Sequence, residues 1–188
     1  MANISVKKLS LVDGAEELDL PDEAAVILDD LRNEIRGITP IVKQQGVKIL
    51  YSYGTPESCG KLSSAIGRHK AQEIKKILST VRLKPKDARM PKPEIVKVER
   101  SGVYTSQDFA GLAVLISDPV GIVVKMGSKR VSHEWEPGKI LLLMPDTSLQ
   151  PKDKDGTGNS EAEGKGMDKP LELSDFFYTM IPVEYHHQ

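Results

Sequence analysis

Three prolines, Pro85, Pro91 and Pro93, fall within nine residues, and no other feature of this chain constrains its fold as much. A helix cannot run through Lys84 to Pro93, because each proline removes a backbone donor and its ring clashes with the preceding turn. The stretch is expected as an extended connector, partly polyproline-like. Before it, apolar residues recur at helical spacing. After it, they alternate or run in short blocks, as strands do.

Within the first half, Ala24, Ile27, Leu28, Leu31 and Ile35 mark one face of a helix from about Pro21 to Arg36. Pro21 suits its first position, Asp22 and Glu23 complement the dipole, and Gly37 stops it. Val47 to Tyr53 alternates as a strand. Thr55-Pro56-Glu57 then reads as the start of a second helix, with Thr55 as its cap. That helix runs to about Val81 and buries Cys59, Leu62, Ile66, Ile74, Ile77 and Val81. Gly60 and Gly67 weaken it, and close approach of another backbone would account for them.

The second half reads as strands: Glu94 to Glu99, a hairpin of Gly121 to Met126 with Val131 to Trp135, and Lys139 to Met144. Ser106 to Ile116 fits either a short capped helix or a buried strand. Gln150 to Lys169 has the composition of a solvated loop. Phe176 to Tyr185 is a closing strand, with Pro182 implying an edge position or a bulge. The expected fold class is α+β: two main helices with a strand in the N-terminal half, and a mainly antiparallel β C-terminal half. One domain, 1–188, is divided into a helix-rich half (1–84), a Pro/Lys-rich connector (85–93), a β-rich half (94–149 and 171–188) and a polar loop (150–170).

Charge is sorted along the chain. Lys61 to Arg100 holds twelve basic residues against four acids, about +8 in a chain of net −1. Asp13 to Glu34 is its opposite, at about −8. Ten of the basic residues, Lys61, Arg68, Lys70, Lys75, Lys76, Arg82, Lys84, Lys86, Arg89 and Lys92, are candidates for contact with a polyanion, a nucleic acid or an anionic membrane surface. The competing use is pairing with the acidic block, within one chain or between subunits of a homo-oligomer. No aromatic residue lies between Lys61 and Arg100, so a base-stacking platform is not expected.

Catalytic signatures are absent. The four histidines, His69, His133, His186 and His187, have no metal-ligand spacing, and no phosphate-binding glycine loop or nucleophile elbow is present. The single cysteine, Cys59, is expected as a small core residue and fits a reducing, cytoplasmic setting. No signal peptide and no membrane-spanning run is visible.

Asp13-Gly14-Ala15 and Gly67-Arg68-His69-Lys70-Ala71 resemble the DGA and RHRAA motifs of the diadenylate cyclase domain. The resemblance implies metal and nucleotide binding at the first motif and phosphate contact at the second. It covers eight residues of 188, Lys70 replaces an arginine, and Glu16-Glu17 follow where that family has an apolar strand. Composition accounts for so short a match.

With no catalytic residues, metal ligands or cofactor in view, the expectation is a non-enzymatic structural or assembly protein. It would self-associate and meet an anionic partner through the basic helix and connector, as a viral or phage particle component or RNA-binding protein does. The second expectation is a small nucleotide-binding sensor or enzyme that uses Arg68 and His69.

Overall fold

The structure, a computed structural model, describes residues 9–45, 48–87, 91–99, 102–152 and 175–185. A short 3-10 turn, Leu11–Asp13, leads into β1 (Ala15–Asp19), α1 (Asp22–Arg36), β2 (Ile41–Gln45), β3 (Lys48–Gly54) and α2 (Glu57–Thr80). The connector region opens with β4 (Leu83–Pro85). Then follow β5 (Glu94–Glu99), β6 (Val103–Tyr104), β7 (Phe109–Leu115), β8 (Val120–Met126), β9 (Lys129–Trp135), β10 (Lys139–Leu143), β11 (Thr147–Pro151) and β12 (Phe176–Tyr185). All described strand pairs are antiparallel. The class is α+β.

A large sheet runs in the order β1-β10-β7-β12-β5-β3-β2, with β4 beside β12, and a small sheet in the order β6-β11-β8-β9. Strands from both sides of the proline connector share the large sheet. Its two faces have separate cores. Leu18, Ile95, Leu112, Val114, Ile140, Leu142 and Phe177 face the helices, against Leu28, Leu31, Leu62, Ile66 and Leu78. Their alternates, Ala15, Val96, Val98, Ala113, Leu115, Leu141, Leu143 and Phe176, face the small sheet's Val103, Ile122, Val124, Trp135 and Leu149. A sheet covered on both faces needs continuous apolar runs rather than alternation. That requirement resolves Ser106 to Ile116 as a strand, β7, and explains Ile140 to Leu143.

Both helices form with the expected faces, but their starts differ in detail. Pro21 and Pro56 occupy the capping positions themselves. Thr55 donates instead to the carbonyl of Pro93 at 2.8 Å. The first turn of α2 is met by α1: Glu34 accepts from the Ser58 hydroxyl at 2.6 Å and from its backbone N–H at 3.3 Å. A carboxylate there satisfies orphan donors and the helix dipole together. The two glycines of α2 have another reason than crowding, since a Cβ built at Gly60 or Gly67 meets nothing within 4 Å.

β12 is not a closing edge strand. It lies inside the large sheet, with β7 along one side and β5 and β4 along the other. Pro182 is tolerated because a strand residue's N–H and C=O point the same way. Its carbonyl accepts from Lys86 N at 2.9 Å, so its missing donor faces the junction where β5 gives way to β4. Most of the expected polar loop, and the three residues after Asp87, lie outside the described residues.

Candidate functional site

Five of the ten basic residues expected to meet a polyanion are paired with carboxylates of the same chain. Lys61 pairs with Glu57 and Lys70 with Glu73, both at 2.8 Å along α2. Arg68 pairs with Glu23 of α1, and His69 Nε2 reaches the other oxygen of the same carboxylate at 2.8 Å. These contacts, led by the His69 hydrogen bond, hold Glu23 below the usual carboxylate range. Lys84 meets Glu184 at 3.1 Å and Lys86 meets Asp108 at 3.7 Å. Lys76 lines a shallow groove with Glu16, Asp19 and Glu73. Lys75, Arg82 and Lys92 are exposed, and Arg89 lies outside the described residues. Of these pairs, Glu23 with Arg68 and His69 joins the acidic block to the basic one, and the others use carboxylates outside the acidic block; exposed pairs of this kind are worth little each.

The two motifs of the cyclase resemblance do not share a site. Asp13 is fully buried, bound by Ser10 Oγ at 2.8 Å and Lys129 Nζ at 2.8 Å, whereas Arg68 and His69 belong to the α1–α2 contact.

Cys59 is a core residue, 0% exposed. Burial first, then the negative charge of Glu34, pushes its thiol from its ordinary 9.0 up to about 12. A thiol raised in the folded state stabilises fully below the unfolded value and loses that contribution as pH climbs from 9.0 toward 12. In the native protein at pH 8, Cys59 is expected to resist a thiol reagent that labels it at once in urea. Equal labelling rates in the two states would contradict its burial.

What the sequence did not reveal is a cleft of about 650 Å³ at one end of the large sheet. The last turns of α1 supply Arg32 and Arg36, the segment after β7 supplies Ser117 and Asp118, and Tyr53 and Asp175 close it. At its wall Ile116 N donates to Asp175 O at 3.0 Å, joining the exit of β7 to the entry of β12. Arg32 donates through Nε to the carbonyl of Ile116 and pairs with Asp29. That fixes one guanidinium across the cleft wall. Arg36 is exposed, and among the described residues its hydrogen-bond partner is Asn33 Oδ1 at 3.3 Å. Ser117 Oγ is buried with no partner among the described residues. The volume is in the range of small-molecule sites, and the few polar groups converge as they do in such sites. These residues come from four separate segments, so no spacing in the sequence announces them.

No family model matches the chain, and no curated protein matches it in sequence. Its structure is similar to that of an oxidoreductase of the 2OG-Fe(II) oxygenase family from Burkholderia pseudomallei, with a TM-score of 0.52, 10% identity, and coverage of 93% of this chain and 86% of that one. Weaker likenesses are HygX from Streptomyces hygroscopicus, with nickel and 2-oxoglutarate bound (TM-score 0.48, 8% identity, 90% and 83% covered), and the α-ketoglutarate-dependent epimerase SnoN from nogalamycin biosynthesis (0.48, 13%, 93% and 82%).

The first likeness corrects the functional expectation. Over 93% of its length the chain shares the fold of that protein, and the expectation of a dedicated assembly, viral-particle or RNA-binding protein is withdrawn on that finding. The flat exclusion of enzymes is withdrawn with it. A non-haem Fe(II) centre requires two histidines and a carboxylate facing one point. Among the described residues no three His, Cys, Asp or Glu side chains come together to hold a metal ion. The described residues do not fit iron. No described helix is long and apolar enough to cross a membrane.

Proposed function

We propose that this protein handles a small anionic molecule, as an enzyme or a sensor, with the ligand's carboxylate or phosphate at Arg36 and Arg32. The observation that carries the reading is the cleft itself: two guanidiniums and a buried hydroxyl without a partner around about 650 Å³. Planar guanidinium groups recognise carboxylate and phosphate oxygens through paired donors, and Arg32 is already held in place. The oxidoreductase fold supports the small-molecule class, and the ligand is moved from Arg68 and His69, which are committed to Glu23, to the other helix.

The test is calorimetry and thermal denaturation with inorganic phosphate, citrate, 2-oxoglutarate and a nucleoside monophosphate. At least one is expected to raise the melting temperature. Arg36→Ala should weaken that ligand about tenfold, the loss of one charge-assisted hydrogen bond, without lowering the stability of the free protein. If no member of the set binds, or binding is indifferent to Arg36→Ala, the reading fails. NMR of the ligand after prolonged incubation separates an enzyme, which alters it, from a sensor, which does not.

A further inference from the structure

We propose that this chain carries the oxygenase sandwich without an iron centre, and that His133 serves as a latch between the edges of its two sheets. The inference rests on where the histidines are and is independent of the cleft and its ligand.

Imidazole is in short supply. The chain has four histidines, and none lies between Glu136 and Tyr185, a span that includes the three strands β10, β11 and β12. His186 and His187 follow β12 and lie outside the described residues. His69 sits on the outer side of α2, about half exposed, with its Nε2 on Glu23. That leaves His133 as the only described histidine at the sandwich, and no second imidazole accompanies it.

The space between the sheets is closed to an ion as well. It is packed with Trp135, Phe176, Leu141, Leu143, Val98 and Val124, every one of them fully buried. A dication placed among hydrocarbon would lose its hydration and gain no ligand.

His133 has a different task. Its side chain is 5% exposed, and its Nε2 lies 2.7 Å from Glu17 Oε2. β9, which carries it, is an edge of the small sheet, and β1, which carries Glu17, is an edge of the large one. Four residues earlier on the same face of β9, Lys129 reaches the buried carboxylate of Asp13 at 2.8 Å and the carbonyl of Val12 at 2.8 Å. The two contacts tie the sheet edges along one side of the sandwich. A buried pair of this kind is costly to break from one partner alone, since it leaves the other polar group stranded.

Two measurements test the proposal. The native full chain, and beside it the variant carrying His186→Ala and His187→Ala, are titrated anaerobically with Fe(II) and separately with Co(II), then desalted and assayed for metal. Metal at the buffer background and no visible cobalt band are expected for both. One equivalent retained by the native chain, and lost on His133→Gln or in the terminal variant, would overturn the metal-free assignment. For the latch, Glu17→Ala is expected to raise the unfolded fraction about tenfold or more in urea, while Glu16→Ala on the same strand leaves it near its original value. Equal effects of the two would remove His133 from that role.

Discussion

Trp135→Ala is expected to cost about 3–5 kcal/mol, the usual range for removing a large aromatic side chain from a packed core. Trp135 is 0% exposed and stands on the edge strand of the small sheet. Its ring meets Phe176 of the large sheet edge-on, with centroids 5.6 Å apart, and Phe176 meets Tyr178 in the same way at 6.4 Å. The three rings are a transverse tie through the sandwich in a chain with only 5% aromatic residues. Small neighbours such as Ala15 and Ala113 have no spare length with which to refill the space. A domain of this size is typically stable by about 5–15 kcal/mol, so the loss is a large fraction of the whole. Urea denaturation followed by far-UV circular dichroism reads it directly. Trp135→Phe keeps a ring at the contact and should lose clearly less, which separates lost packing from a general intolerance of the site. A cost below about 1 kcal/mol for the alanine variant would show that the sheets are not held together there.

The second large effect is expected at Gly14, which joins the first turn to β1. Its φ of +93° is a conformation that side chains disfavour, and a Cβ built there lies 2.9 Å from Met126 Cβ and 3.0 Å from Thr147 Oγ1. Neither neighbour is the loose end of a long chain, since one is a Cβ atom and the other belongs to a fully buried threonine. The Gly14 carbonyl is also fixed, accepting from Met144 N at 2.8 Å. Left-handed strain of about 1–2 kcal/mol and overpacking of about 1–3 kcal/mol act together at this point. Gly14→Ala is therefore expected to destabilise by about 2–5 kcal/mol, measured as a shift of the urea midpoint. The contrast is Gly60→Ala in α2, where nothing lies within 4 Å of the new methyl and helix propensity favours alanine by about 0.8–1 kcal/mol. If the two substitutions move the midpoint in the same direction, the tight contact at Gly14 is not real.

Helical periodicity made α1 and α2 legible because each buries one face and leaves the other in water. The β8–β9 hairpin was legible for a similar reason, with Gly127 at a φ of +60° in its turn. β1 was hidden because Glu16, Glu17 and Asp19 make it look like part of a solvated acidic run. It is an edge strand, where charge is normal, and only Ala15 and Leu18 report its buried sides. β2 and β11, of five residues each, left no pattern long enough to separate from loop. Charge sorting was legible as a fact of the sequence, but not which side chains pair within the fold. The pairing of Glu23 with Arg68 and His69 depends on the crossing of two helices, which local sequence does not encode. The cleft depends on the same long-range assembly, with Arg36 and Ser117 separated by more than half of the large sheet's strands in chain order.

The inner position of β12 also has a consequence for how the chain comes into being. This strand follows every other described strand in the chain, yet it fills the gap between β7 and β5, which precede it by many residues. Until it arrives, the large sheet is two separate pieces with four exposed hydrogen-bonding edges, two of them bordering the apolar runs of β5 and β7. Pairing over such sequence distances is slow, and open strand edges invite other chains. Completion of the large sheet therefore waits on its last described strand: insertion of Phe176 to Tyr185 joins its two halves, and a nascent chain must keep those edges apart from its neighbours until then.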